Sequence, residues 1–119
     1  MRNYRELEIW KNGITIVEEI YKISAKLPID ERFGLRSQIT RAAVSIPSNI
    51  AVGCSLNSEI EFKRFLEIAM GSLFAVETHL TICERLGYID KSDLDDTLLL
   101  LNKEAKMINS LISKIKNNQ

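Results

Sequence analysis

Seven apolar residues, Phe62, Leu66, Ala69, Leu73, Val76, Leu80 and Cys83, follow one another at alternating spacings of four and three. That rhythm keeps all of them on one face of an α-helix, whereas a strand would scatter them over both faces. The punctuation on either side agrees. Ser58 followed by Glu61 forms a capping box, in which each side chain can bond the other's backbone amide, and Gly87 is a C-cap. A long helix with a one-sided apolar stripe must bury that stripe against elements of similar length. The rest of the chain offers three.

In the first segment Leu7, Trp10, Ile14, Val17 and Tyr21 share one helical face, and Pro28 with Asp30 ends the helix. A second helix is expected from about Glu31 to about Cys54, with Leu35, Ile39, Ala42, Ala43, Ile46 and Ile50 as its stripe. Pro47 lies inside it. A proline there kinks the helix or leaves a carbonyl near Ala43 unpaired, and Ser45 or Ser48 is placed to help satisfy freed groups. Gly53 and Ser55–Ser58 make the next break. Asp90 is the expected N-cap of a fourth helix, with Asp93 near its positive end and a stripe of Leu94, Leu98, Leu101, Ala105, Ile108, Ile112 and Ile115. Five glycines and two prolines are too few for the many turns of an all-β fold. Short connections between long helices make neighbours antiparallel. The expected fold is therefore all-α, an up-and-down antiparallel four-helix bundle with helix two kinked near Pro47, forming one domain over residues 1–119.

Sixteen basic and sixteen acidic residues cancel to a formal net charge of zero. This excludes a whole-surface electrostatic nucleic-acid binder and leaves room only for a local patch. Cys54 and Cys83 have no CxxC spacing and read as buried thiols in a reducing cytoplasm. The N-terminal MRNYRELEIW has charges where a signal peptide needs its apolar stretch. The longest uncharged run, Ala42 to Ser58, is too short and polar to span a bilayer. A cytoplasmic location without a membrane partner is expected.

Two helices carry a second apolar line: Ile9, Ile16, Ile20, Ile23 and Leu27 on the first, and Phe65, Ile68, Ala75, Ile82 and Leu86 on the third. One reading is a broad core stripe with a few exposed aliphatics. The other is an interface between copies of the chain, for which Ile9, Ile16, Ile23, Phe65, Ile68 and Ile82 are the candidates.

No catalytic constellation emerges. His79 is the only histidine, and Glu77, two residues away, points to a different side of the helix. The run Asp90 to Asp96 has Leu101 where an EF-hand needs its closing glutamate. Gly53 and Gly71 are isolated, so no phosphate loop is present. No catalytic residue, metal ligand, cofactor or small-molecule substrate is expected. The only charge bias lies between Arg32 and Ser58, where Arg32, Arg36 and Arg41 meet no acidic residue. With Ser37, Gln38, Thr40, Ser48 and Asn49 they form a candidate phosphate-binding patch. The alternative is that these arginines pair with acids on a neighbouring helix or subunit.

The stretches Arg32-Phe33-Gly34-Leu35-Arg36-Ser37-Gln38-Ile39 and Arg41-Ala42-Ala43-Val44-Ser45-Ile46-Pro47-Ser48-Asn49-Ile50-Ala51 resemble the signature of four-helix bundle proteins encoded in intervening sequences of bacterial 23S ribosomal RNA genes. Leu7-Glu8-Ile9-Trp10-Lys11, Glu61-Phe62 through Phe65-Leu66, Ala69 with Gly71-Ser72, Glu77-Thr78-His79-Leu80 and Leu86-Gly87-Tyr88 fit as well. The resemblance implies a homopentameric ring. It also points to an accessory role beside RNA or DNA, as in related retroelement proteins; the alternative reading is a protein–protein scaffold without nucleic-acid contact. An unrecognised enzyme at a subunit interface is a third reading. The chain departs from the family pattern at Thr40, at Val52 and Ala75, where Glu is usual, and at Leu56, where a basic residue is usual. Val52, Leu56 and Ala75 are expected to form one cluster in which polar contacts have become apolar.

Overall fold

The computed structural model describes residues 2–118 and contains four long helices, α1 (Glu8–Ser24), α2 (Leu35–Cys54), α3 (Glu59–Arg85) and α4 (Lys91–Asn117). No strand occurs among the described residues. Single 3-10 turns at Tyr4–Glu6 and Ile29–Glu31 precede α1 and α2. Each helix packs on the next, and α4 returns to α1, while diagonal pairs make no close approach among the described residues. This is the up-and-down antiparallel bundle. Its long dimension of 46 Å is close to what two 27-residue helices rising about 1.5 Å per residue require.

The helix ends follow from their sequence. Ser58 Oγ accepts the Glu61 amide at 3.3 Å, and Asp90 Oδ1 accepts the Asp93 amide at 2.8 Å. At the end of α3, Gly87 has φ of 80°, its amide reaches the Glu84 carbonyl (3.0 Å), and the Tyr88 amide reaches that of Cys83 (2.9 Å). These paired bonds are a Schellman motif, which needs a residue without a side chain at the left-handed position. Helix α2 begins at Leu35, later than Glu31. Gly34 leaves helical geometry (φ −105°, ψ −112°), and the Glu31 carboxylate folds back to accept the Leu35 amide at 3.3 Å.

The expected α3 stripe, Phe62 to Cys83, is buried throughout. Ile39, Ala43, Ile46 and Ile50 of α2 and Leu101, Ile108 and Ile115 of α4 meet it. On α1 the inward face is the other one. Ile9, Ile16, Ile20 and Ile23 are buried, Ile14 and Tyr21 are exposed, and Leu7, Trp10 and Val17 are only partly covered. Ile9, Ile16 and Ile23 are thus closed inside the monomer and form no outward interface. The cause is Gly13, which sits on this inner face. A Cβ there would lie 3.2 Å from Pro47 Cβ and 3.4 Å from Glu104 Oε2, so its absence lets α1 approach both neighbours.

Helix α2 continues through Pro47, whose ring is buried. Since proline has no amide hydrogen, the Ala43 carbonyl lacks its usual partner. Ser45 does not serve that carbonyl. It bonds Ser72 across α3 at 2.8 Å and accepts from Asn49 Nδ2 at 2.8 Å. Val52, Leu56 and Ala75 do not form one cluster. Gly53, beside Val52, abuts Phe65 of α3, and Ala75 lies farther along that helix by about 15 Å of rise.

The bundle centre holds a carboxyl group. Glu104 of α4 is fully buried; its Oε1 accepts from Asn12 Nδ2 at 3.1 Å, and Asn12 also donates to the Leu100 carbonyl at 3.3 Å. Oε2 has no hydrogen-bond partner among the described residues. Burial pushes the Glu104 pKa up from 4.5 to about 7, against the opposing pull of Asn12 and Lys103.

Candidate nucleic-acid interface

Arg32, Arg36 and Arg41 come together where α1 hands the chain to α2. After Ser24 the chain passes Pro28, makes a 3-10 turn and enters α2 behind Gly34. This path lays the Ile29–Phe33 segment beside the last turn of α1. The result is a groove of about 580 Å³ that all three arginines line, with Tyr21, Ile29 and Phe33 as its apolar wall and Ser37 and Thr40 on α2. Arg32 precedes the helix and is not part of its first turn, yet the loop returns it to the same groove as Arg36.

The electrostatics favour an anion. Among the described residues, none of the three arginines lies within ion-pair distance of a carboxylate. Glu31, the acid next to Arg32, is already used. Its Oε1 accepts the Leu35 amide and its Oε2 accepts the Tyr88 hydroxyl at 3.3 Å. Asp30 lies in a smaller adjoining hollow with Ile29, Arg32 and Phe33. The Glu31 carboxylate already meets the first amide of α2, so the attraction rests on the three guanidiniums and not on the helix N-terminus. The aromatic wall is the part that spacing alone does not reveal. Tyr21 comes from another helix, and Phe33 stands in the sequence only as part of the Arg32-to-Ile39 stretch that resembles the family signature.

The remaining interface candidates lie on α3. Ile68 and Ile82 face outward, and Phe65 is half-buried. Between Ile68 and Ile82, at helical spacing, stand Gly71 and Ala75, and a Cβ at Gly71 would meet nothing within 4 Å. This outer strip, added to the core stripe, makes α3 long and apolar enough to cross a membrane by length and hydropathy alone. A second apolar surface is the groove between α1 and α2, about 300 Å³, lined by Trp10, Ile14, Val17 and Val44 among others. It contains much of the α1 face that spacing had assigned to the core.

A family model, the 23S rRNA-intervening sequence protein, matches residues 5–110. The chain belongs to this family. A crystal structure of a Bacteroides thetaiotaomicron protein, of unknown function and from the S23 ribosomal protein family, has a TM-score of 0.82 at 22% identity. The match covers 88% of this chain and 95% of that one, and at this identity it establishes a shared fold. No curated protein matches the sequence.

The matched region of this intervening-sequence protein includes the arginine groove and the outer α3 strip. Elsewhere the reactive side chains are dispersed. His79 is partly buried, its Nδ1 has no hydrogen-bond partner among the described residues, and burial lowers its pKa. Cys54 and Cys83 are free and buried, and burial raises both thiol pKa values. They lie toward opposite ends of the bundle, too far apart to pair. No three His, Cys, Asp or Glu side chains are grouped to hold a metal ion among the described residues.

Proposed function

We propose that this intervening-sequence protein is a non-enzymatic, self-associating factor that holds a nucleic-acid backbone in the Arg32–Arg36–Arg41 groove. The observation that carries this reading is the set of three guanidiniums in one hollow, without carboxylate partners among the described residues. Guanidinium groups match phosphate oxygens in a planar fork, and phosphate contacts release bound counterions. The alternative scaffold role would be favoured by arginines neutralised within the bundle. Because the whole chain has zero net charge, the remainder beyond these three arginines is net acidic, which confines the attraction to this site.

Self-association would multiply the site. The α1–α2 groove presents bulky Trp10, Ile14 and Val44, while the outer α3 strip is hollowed at Gly71 and Ala75 between Ile68 and Ile82. Two unlike apolar faces on one chain suit a head-to-tail contact, and such contacts form a ring when the rotation between neighbours closes. A homopentamer would carry five grooves, and a strand reaching several of them would bind with avidity.

The test is titration of a short fluorescent RNA by anisotropy. Arg36→Ala and Arg41→Ala are each expected to weaken binding by about tenfold, the loss of one charge-assisted contact. Lys116→Ala, at the far end of α4, leaves it unchanged. Equal affinity in all three variants contradicts the reading.

A further inference from the structure

We propose, building on that phosphate-binding reading, that the groove is selective for single-stranded polynucleotide, with Phe33 and Tyr21 as platforms for unpaired bases. Phe33 is 83% exposed and Tyr21 53% exposed, and both line the hollow that holds the three arginines. Neither ring contributes to the core, since the bundle is closed by the isoleucine face of α1. The Arg32 guanidinium lies 4.7 Å from the centre of the Phe33 ring. A cation held against a ring orients it and reinforces stacking on the aromatic surface that stays open.

A duplex keeps its base faces stacked inside and offers only phosphates and groove edges to such a surface. A single strand can place a phosphate on a guanidinium and the neighbouring base on a ring together. Charge arranges these parts in order. Arg36 and Arg41 stand on the side of the groove away from Asp30, while Phe33 shares the adjoining hollow with Asp30, Ile29 and Arg32. Phosphates are therefore drawn toward Arg36 and Arg41, and bases are left on the Phe33 side. There the Asp30 carboxylate repels phosphate and accepts from exocyclic amines.

The experiment measures affinities of the intact protein for labelled single-stranded RNA, single-stranded DNA of the same sequence, and a duplex hairpin with the same number of phosphates. Either single strand is expected to bind more tightly than the hairpin. Phe33→Ala is expected to weaken single-strand binding at least about fivefold and hairpin binding by clearly less, since the hairpin loses only the ring that holds Arg32. Because Phe33 packs on nothing in the core, this variant keeps its fold, which far-UV circular dichroism checks. Phe33→Trp retains the affinity, and the added indole emission is quenched by the oligonucleotide. Hairpin binding as tight as single-strand binding, or an unchanged Phe33→Ala, overturns the inference. If Arg36→Ala abolishes binding in that case, the phosphate site stands without the base platform. If the unaltered protein binds no oligonucleotide, both readings fall.

Discussion

Exchanging Glu104 for glutamine is expected to stabilise the protein at pH 8 and to remove most of the stability loss that the unaltered protein shows between pH 4.5 and pH 7. In the unfolded chain the carboxyl ionises near its ordinary value of 4.5, and in the bundle only at about 7. Below the first value it is protonated in both states and carries no penalty. Between the two, the folded protein retains a proton that the unfolded chain has released, so each rise in pH costs stability. Above the second value both states are ionised and the loss is complete. With each pKa unit worth about 1.4 kcal/mol, the full penalty is about 3 kcal/mol. Glutamine keeps an oxygen for Asn12 Nδ2 and never ionises. Urea unfolding at a series of pH values reads the difference. A Glu104→Gln protein with the unaltered pH slope, or one less stable at pH 8 than the parent, would show that the carboxyl is solvated.

Assembly should respond even more sharply to charge on the outer strip of α3. Ile68 and Ile82 are 40% and 39% exposed in the single chain, so Ile68→Asp with Ile82→Asp leaves the bundle core intact. In a packed interface the same two carboxylates would be stripped of water without partners, at several kcal/mol. Light scattering is therefore expected to give a multiple of 13.6 kDa for the unaltered protein and the single-chain mass for the double variant. A double variant with the unaltered mass, or an unaltered protein of 13.6 kDa, contradicts the head-to-tail assembly.

Helices α3 and α4 were legible in the sequence because each carries one dominant stripe and an unambiguous cap, Ser58 or Asp90. Helix α1 was harder. Its two apolar lines are of comparable strength, and the choice between them depends on Gly13, which becomes informative only once Pro47 and Glu104 are seen against it. Asn12 and Glu104 are polar, and a count of apolar residues passes over both. Both in fact occupy stripe positions, Glu104 falling three residues after Leu101 and four before Ile108. A polar residue at such a spacing signals a buried polar pair, and these two bond each other across 92 positions. The arginine groove was half legible. The absence of acids after Arg32 marked the basic residues, but the partners Tyr21 and Ile29 depend on how the α1–α2 connection folds back.

The central claim is that the three arginines bind phosphates, and the salt dependence of oligonucleotide affinity tests it most directly. For an oligonucleotide short enough to occupy one groove, the logarithm of affinity should fall linearly with the logarithm of salt concentration. The expected slope is about −2, from three contacts at about 0.7 each, and it should become shallower by about 0.7 in Arg36→Ala. An affinity that does not change with salt, or a slope that Arg36→Ala leaves untouched, would contradict it.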